Sequence, residues 1–277
     1  MKKRKAIWYA VKVALLLALL AVMMIPICWN IAMSFDEDVL TSIPNPPHLW
    51  PQTPSLRNYR YAFEVVPLMR YFANTAFLTV VNTVVSVFFA LCCGYAFAKG
   101  KFVGKNFWFM FILAVMMIPF ESIMVPLFLQ YQRMGLLNTY WPLVLGSFAY
   151  PFGMFLARQN IAALPDALRE ATFIDGASEW RTFFSIIIPL SGPVIATLCI
   201  MQVMGNWNSF LWPLIVIQDN KKFVISVGVA MFNAQKGVQY FGPRMAVATL
   251  SALPLVIMFL FLQKYIVASV AMSGIKQ

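Results

Sequence analysis

The chain has 277 residues, of which 61% are hydrophobic and 11% charged, and its formal net charge is +11 at pH 7. A soluble domain of this length needs a charged shell around its core, and these charges are too few to supply one. The cations flank apolar runs, a pattern that specifies membrane topology and argues against a nucleic-acid partner. Several of the runs exceed the roughly 18 apolar residues that mark a membrane helix. Composition therefore predicts an all-α, polytopic membrane protein.

The N-terminus is basic and is followed by an apolar run over residues 13–33. This start resembles a signal peptide, but the run is too long for one and lacks a small-x-small cleavage site. We therefore expect an uncleaved first span. Residues 34–70 are rich in proline, which excludes a continuous helix and predicts an extended loop outside the cytoplasm. Residues 1–70 thus form a first region, a membrane helix with its extracytoplasmic loop.

Five further spans are expected in residues 71–277, at about residues 71–98, 106–131, 141–157, 190–217 and 246–263. The first of these carries polar residues at helical spacing, namely Thr75, Thr79, Asn82, Thr83 and Ser86. We favour packing of this stripe against other helices, and a wall that faces the substrate is the alternative. The sequence thus predicts six transmembrane helices in total.

Six spans place both termini on one side of the membrane. The segments on that side are the richer in lysine and arginine for their length, although the basic loop 218–245 on the opposite side is discordant. Because cytoplasmic segments carry the excess of basic residues, we expect a multi-pass protein of the cell membrane with both termini in the cytoplasm.

Residues 164–189 are polar and acid-rich in a chain that is otherwise mostly apolar. Their apolar residues recur on one face of a short helix, at Leu164, Ala167, Leu168, Ala171 and Ile174. Gly176 stands where a left-handed C-terminal cap is expected, and Ser178 can cap a second helix that runs to Pro189. We therefore expect a helix, a tight turn and a second helix on the cytoplasmic side, with apolar residues exposed for a partner.

The order Glu170-Ala171-Thr172, three residues, Gly176, nine residues and Ile186-Ile187-Ile188-Pro189 resembles the EAA loop of ABC-importer permeases. In that family the loop is the coupling element that docks on the cytoplasmic ATPase subunit. Thr172 and Ile188 depart from the usual alanine and leucine. The resemblance implies an ATPase-coupling loop whose residues are Glu170, Ala171, Asp175, Gly176, Ile186 and Pro189.

The segments 94–98 (GYAFA), 136–140 (LLNTY), 207–214 (WNSFLWPL) and the tail ending in Gly274-Ile275-Lys276 are similar to the carbohydrate branch of that family, the maltose and glycerol-phosphate permeases. The resemblance implies that residues 71–277 are an ABC transmembrane permease domain that moves a sugar. It also implies three partners, which are a second homologous permease, a cytoplasmic ATPase dimer and an extracytoplasmic solute-binding protein.

The sequence contains no Gly-x4-Gly-Lys-Ser/Thr loop, so it has no means to hold nucleotide phosphates. It has one histidine and no cluster with the spacing of metal ligands or of a catalytic set. We therefore expect no enzyme activity and no cofactor in this chain, with ATP and magnesium in the partner ATPase. The alternative functions are an ion-coupled secondary transporter that uses Glu121 for protons and an ABC permease for glycerol-phosphate.

Two places could line a substrate path. Glu121 lies in the third span, where a carboxylate is costly unless it faces a polar cavity or another helix. It either lines the path or marks the outer interface of the membrane. Asn206, Trp207, Asn208 and Ser209 gather amides, an indole and a hydroxyl in the fifth span. These groups suit a sugar, but we favour an interfacial aromatic belt that they form with Trp212. Spans two, three, five and six have no lysine or arginine in their interiors, which favours a neutral sugar over a phosphate ester.

Overall fold

The computed structural model describes residues 2–41, 43–46, 48–232, 234 and 240–274. These residues are mostly helical and contain no strand beyond one isolated bridge between Asp36 and Pro54. The all-α prediction is confirmed. The α-helices in chain order are α1 (Lys2–Ser34), α2 (Arg57–Val65), α3 (Leu68–Lys99), α4 (Lys105–Val115), α5 (Phe120–Arg133), α6 (Trp141–Val144), α7 (Pro151–Ala162), α8 (Asp166–Ile174), α9 (Glu179–Thr182), α10 (Ile188–Leu190), α11 (Gly192–Trp207), α12 (Leu211–Val216), α13 (Ile225–Phe232) and α14 (Phe241–Gly274).

Three of the described helices are long and apolar enough to cross a membrane, namely Ile7–Ser34 within α1, Leu68–Lys99 and Phe241–Leu260 within α14. Two pairs of helices pass the same test together but bend sharply at a short break. The pair α4 and α5 bends by 95°, and the pair formed by Glu179–Leu190 and α11 bends by 80°. Length and composition therefore identify up to five spans in the described part of the chain.

The predicted fourth span, residues 141–157, is not a continuous helix. It is divided into α6, a 3-10 turn (Leu145–Phe148) and α7, which begins at Pro151 after an extended residue. Proline lacks the N–H that a helix needs at interior positions, so a new helix begins there. The count of six spans stays a prediction.

The chain forms two compact units, and the first comprises Met1–Leu68 and Gly228–Pro254. Its core is small and apolar, and its buried members are Ala32, Met33, Val39, Phe241 and Met245. The fully buried amide of Asn58 in α2 donates hydrogen bonds to the carbonyl oxygens of Ser34, at 3.2 Å, and Asp36, at 2.7 Å. These bonds fix α2 against the chain that leaves α1.

The proline-rich loop is organised around the buried carboxylate of Asp36. It accepts hydrogen bonds from the His48 ring at 2.6 Å, from the backbone N–H of Gln52 at 3.1 Å and from the Thr53 hydroxyl at 3.1 Å. Burial opposes the charge of Asp36, but these bonds and the N–H of Asp38 outweigh it and hold its pKa below the usual range. The extended loop thus has a defined polar centre.

The second unit comprises Met69–Val227 and Leu255–Gln277. Its core joins α3, α7, the π-helical stretch Phe183–Ile187 and α11. The buried members are Val87, Ala90, Leu91, Ala157, Ile161, Phe183, Ile187, Val194 and Leu198. This core supports the predicted hairpin, because α7 directly precedes the hairpin and the π-helical stretch is part of its second helix.

The polar stripe of α3 is buried within the second unit, since its five members are at most 7% exposed. Asn82 donates to the carbonyl of Leu143 at 3.1 Å, and Ser86 donates to the carbonyl of Ser147 at 2.8 Å. Thr75 accepts from the N–H of Ile225 at 2.8 Å. These backbone groups lie where neighbouring helices begin or break, so α3 satisfies main-chain groups that a continuous helix would satisfy itself.

Candidate functional site

Residues 164–189 form the predicted hairpin, and its turn has a well-defined geometry. Gly176 has a φ of +73°, in the left-handed region, as the sequence predicts. The N–H of Ala177 donates to the carbonyl of Thr172 at 2.9 Å, and the N–H of Gly176 donates to that of Phe173 at 3.0 Å. This pair of bonds is a Schellman cap. The hydroxyls of Thr172 and Thr182 lie 2.8 Å apart and join the two helices across the turn.

The second helix of the hairpin begins at the predicted cap. The Ser178 hydroxyl accepts a hydrogen bond from the N–H of Arg181 at 3.3 Å, which satisfies a free N–H at the start of α9. The helix continues through the π-helical stretch and α10 to Leu190, close to the predicted end at Pro189. It bends by 80° at the break around Ser191 and leads into α11.

An ion pair inside the hairpin connects α8 to α9. The Arg169 guanidinium donates to the Glu179 carboxylate and lies 4.7 Å from the centre of the Phe173 ring. The bond to Glu179 raises the pKa of Arg169. The Tyr95 hydroxyl, on α3, donates to the other Glu179 oxygen at 2.5 Å and accepts from Arg169 Nε at 3.2 Å. One tyrosine therefore contacts both members of the ion pair.

A second contact between α3 and the hairpin lies at the start of α8. The Lys99 ammonium donates to the Asp166 carboxylate and to the carbonyl oxygen of Leu164, each at 2.6 Å. The Lys99 side chain is only 8% exposed, whereas that of Asp166 is 72% exposed. The hydrogen bond and charge of Lys99 hold the pKa of Asp166 below its usual range. The end of α3 thus binds the hairpin at two separate points, through Tyr95 and through Lys99.

The apolar face of α8 is turned away from the protein. Leu168 is 41% exposed and Ile174 is 86% exposed, and Ala167 and Ala171 are exposed beside them. Glu170 is also exposed on this helix. Exposed apolar residues on a short helix carry a cost in water unless a partner covers them. The hairpin therefore presents an apolar patch with a carboxylate next to it.

The remaining coupling residues lie on the turn and on the second helix. Asp175 is the exposed C-terminal cap of α8, and Pro189 is exposed in α10. Asp175 and Ile186 come together at a depression of about 130 Å³ between the two helices. Its other lining residues are Thr172, Ala177, Arg181, Thr182 and Ser185. The geometry gathers the predicted residues on one hairpin, and their roles stay predictions.

The candidate substrate-path residues are arranged differently. Glu121 is exposed in the first turn of α5, just beyond the 95° bend, where a carboxylate complements the positive end of the helix dipole. Asn206 accepts a hydrogen bond from Asn82 at 2.9 Å, and Trp207 is buried. Asn208 is exposed and donates to the carbonyl of the preceding helical turn. Asn206 is therefore engaged in packing in this conformation.

Asn206 and Ser209 line a cavity of about 50 Å³ with Thr75, Leu78, Asn82, Leu143, Trp212, Pro213 and Val224. Glu121 is not part of its lining. Ligand pockets are typically about 300–1,000 Å³, so this cavity must widen before it can hold a sugar. The hydroxyls of Thr79 and Thr83 have no hydrogen-bond partner among the described residues. Packing against other helices thus explains Thr75, Asn82 and Ser86. For Thr79 and Thr83, packing and a wall that faces the substrate both stay predictions.

Long apolar helices, sharply bent helix pairs and an exposed helical hairpin are the features of a polytopic membrane protein. Its sequence matches the family of binding-protein-dependent transport system inner membrane components over residues 86–272. The chain belongs to this family. It is an inner-membrane permease subunit of an ABC importer, and the ATPase is a separate subunit. A permease of this kind operates with a solute-binding protein and ATPase subunits.

Curated relatives are similar over most of their length. The arabinooligosaccharides transport system permease AraQ of Halalkalibacterium halodurans is 37% identical, with 82% of this chain and 81% of the relative covered. The diacetylchitobiose uptake system permease NgcG of Streptomyces coelicolor is 30% identical, with 95% and 87% covered. The crystal structure of a bacterial ABC transporter that imports alginate contains a chain with a TM-score of 0.82 at 23% identity, with 94% and 96% covered. This last match confirms the fold.

Proposed function

We propose that this permease carries a neutral mono- or oligosaccharide into the cell after a solute-binding protein delivers it. The relatives at 37% and 30% identity are named for arabinooligosaccharides and diacetylchitobiose, both of them sugars. The interiors of the apolar spans two, three, five and six carry no lysine or arginine to neutralise a phosphate. These two facts support a sugar over a sugar phosphate.

The complete importer in this proposal contains a second homologous permease and an ATPase dimer, which binds ATP and magnesium. Both termini and the hairpin lie in the cytoplasm, where ATP is. The single observation that carries the coupling role is the exposed apolar face of α8 on a hairpin that is fixed internally by its turn and its ion pair. A rigid element with an uncovered apolar face is suited to transmit movement from a partner that covers it.

Membership of a binding-protein-dependent family disfavours the ion-coupled alternative, because such systems take their substrate from a separate protein. In that alternative Glu121 carries protons. Its exposed position at a helix N-terminus is already explained by the helix dipole.

The test is uptake by proteoliposomes that contain the permease, its partner permease and its ATPase, with the solute-binding protein added outside. We expect ATP-driven accumulation of a neutral oligosaccharide, and none from the permease reconstituted alone. Uptake of only a sugar phosphate, or uptake by the lone chain that an uncoupler abolishes, would contradict the proposal.

The docking face is tested with Ile174→Gln in the same system. Burying an isoleucine contributes about 1.5–3 kcal/mol, so its replacement should weaken ATPase binding about tenfold or more. The matched control is Val103→Gln, because Val103 is a 98% exposed apolar residue outside the hairpin. If both variants bind the ATPase like the wild type, α8 is not the docking face.

A further inference from the structure

The segment 94–99 at the end of α3 packs closely on α7. A Cβ atom on Gly94 would lie 2.6 Å from the Cβ of Ala157 and 2.9 Å from the backbone nitrogen of Arg158, so only glycine allows this approach. The Arg158 side chain donates to the carbonyl of Phe97 at 3.3 Å. The end of α3 and α7 are thus in direct contact at main-chain distance.

The same segment holds the hairpin through two side chains one helical turn apart. Tyr95 contacts both members of the ion pair between Arg169 and Glu179, and Lys99 binds Asp166. An ammonium that is only 8% exposed is costly to leave without its partner, so separation of α8 from α3 is opposed. The hairpin and α3 are therefore built to move together.

Further along α3, the polar stripe binds backbone groups of three other elements, at Leu143, Ser147 and Ile225. These contacts lie at the breaks around α6 and at the start of α13. The helix α3 thus binds the hairpin at one end and, further along, the backbone at the breaks around α6 and at the start of α13.

We infer that residues 94–99 are the seat of the hairpin, and that Tyr95 and Lys99 are positioning residues through which its movement reaches the broken helices by way of α3. This inference rests on the proposed function, in which the ATPase moves the hairpin. It assigns a physical role to a motif, GYAFAK, that the docking role of the hairpin does not explain. Both residues act through the hairpin in this role, so their loss should uncouple hydrolysis from transport.

The experiment measures ATP hydrolysed per sugar transported in proteoliposomes that contain the complete importer. Tyr95→Phe removes only the hydroxyl and should raise this ratio about tenfold, which corresponds to about 1.4 kcal/mol, close to the value of a hydrogen bond to a charged group. The matched control is Tyr150→Phe, since Tyr150 packs on the same core and its hydroxyl makes no hydrogen bond within the described residues. Its ratio should equal that of the wild type.

A second pair of variants decides the outcome if Tyr95→Phe does not assemble. Lys99→Met keeps the length of the side chain without the charge and should raise the ratio, whereas Lys99→Arg retains a cation for Asp166 and should keep it near the wild-type value. If Tyr95→Phe and Lys99→Met leave the ratio of ATP hydrolysed to sugar transported unchanged, even with hydrolysis and transport reduced equally, residues 94–99 do not have this role. The proposed function would still stand. A wild-type importer that shows no ATP-driven sugar uptake would instead overturn the proposed function.

Discussion

Gly176→Ala isolates the contribution of the hairpin turn. Gly176 has a φ of +73°, and a Cβ atom added there would meet no other atom within 4 Å. The substitution therefore causes no clash, and its cost is that of placing an L-residue in the left-handed region, about 1–2 kcal/mol. A cost of this size lowers the ratio of closed to open turn about 5- to 30-fold. ATP-driven uptake should fall with it if transport needs the intact hairpin.

Two measurements test this expectation. Hydrogen exchange of the permease should show faster exchange at the N–H groups of Gly176 and Ala177, which donate across the turn. Uptake by the reconstituted importer should fall in parallel, with membrane insertion unchanged. Gly176→Asn should be milder, because asparagine tolerates the left-handed region. Gly192→Ala is the matched control, since that site is equally open and its φ is not positive.

Normal uptake together with wild-type exchange in Gly176→Ala would refute the argument. It would mean that the turn tolerates a side chain, or that the hairpin does not limit transport. Faster exchange with normal uptake would distinguish these two explanations. It would show that the side chain strains the turn but that transport does not require the intact turn.

Two further predictions concern other parts of the molecule. The folded-state pKa of Asp36 is lowered, so its stabilisation of the loop is present above the unfolded value of about 3.9 and is lost as pH falls through the folded value. Limited proteolysis should therefore show the loop opening progressively as pH falls from the unfolded value through the folded one, and Asp36→Asn should remove this pH dependence. Gly94→Ala would place a Cβ 2.6 Å from that of Ala157 and should lower the free energy of unfolding by about 1–3 kcal/mol. Thermal unfolding in detergent measures this, with Gly146→Ala as control, because that site is open.

The hairpin could be predicted from sequence because its determinants are local. The periodic apolar residues, Gly176 at the left-handed position and Ser178 at the cap lie within one short segment, and each acts on the backbone beside it. The exposure of the apolar face followed from the same periodicity, since a short helix between two spans has little of the protein to pack against.

The contacts that hold the hairpin could not be predicted, because they join residues far apart in sequence. Tyr95 and Glu179 are 84 positions apart, and Lys99 and Asp166 are 67 apart. Nothing in the sequence pattern indicated that Tyr95 would contact both members of the ion pair between Arg169 and Glu179. The similarity of residues 94–98 to the carbohydrate branch of the family was the only signal in this segment. It marked the segment but did not indicate what the segment does.

The interruption of the predicted fourth span was missed for a different reason. Composition reports how apolar a segment is, and residues 141–157 are apolar whether they are continuous or broken. The backbone groups that the break exposes are satisfied by Asn82 and Ser86 on α3, more than fifty positions earlier. A hydropathy window cannot detect such compensation.

The bonds from α3 to the broken helices end mostly on main-chain atoms rather than on side chains. Every amino acid supplies the same carbonyl oxygen, so residues around Leu143 and Ser147 can be replaced while the anchorage from Asn82 and Ser86 persists. Such an arrangement separates the main-chain contacts that hold the helices in place from the side chains that the same residues present. A common framework can therefore be diversified toward new cargo by exchanging side chains, with little penalty to its architecture.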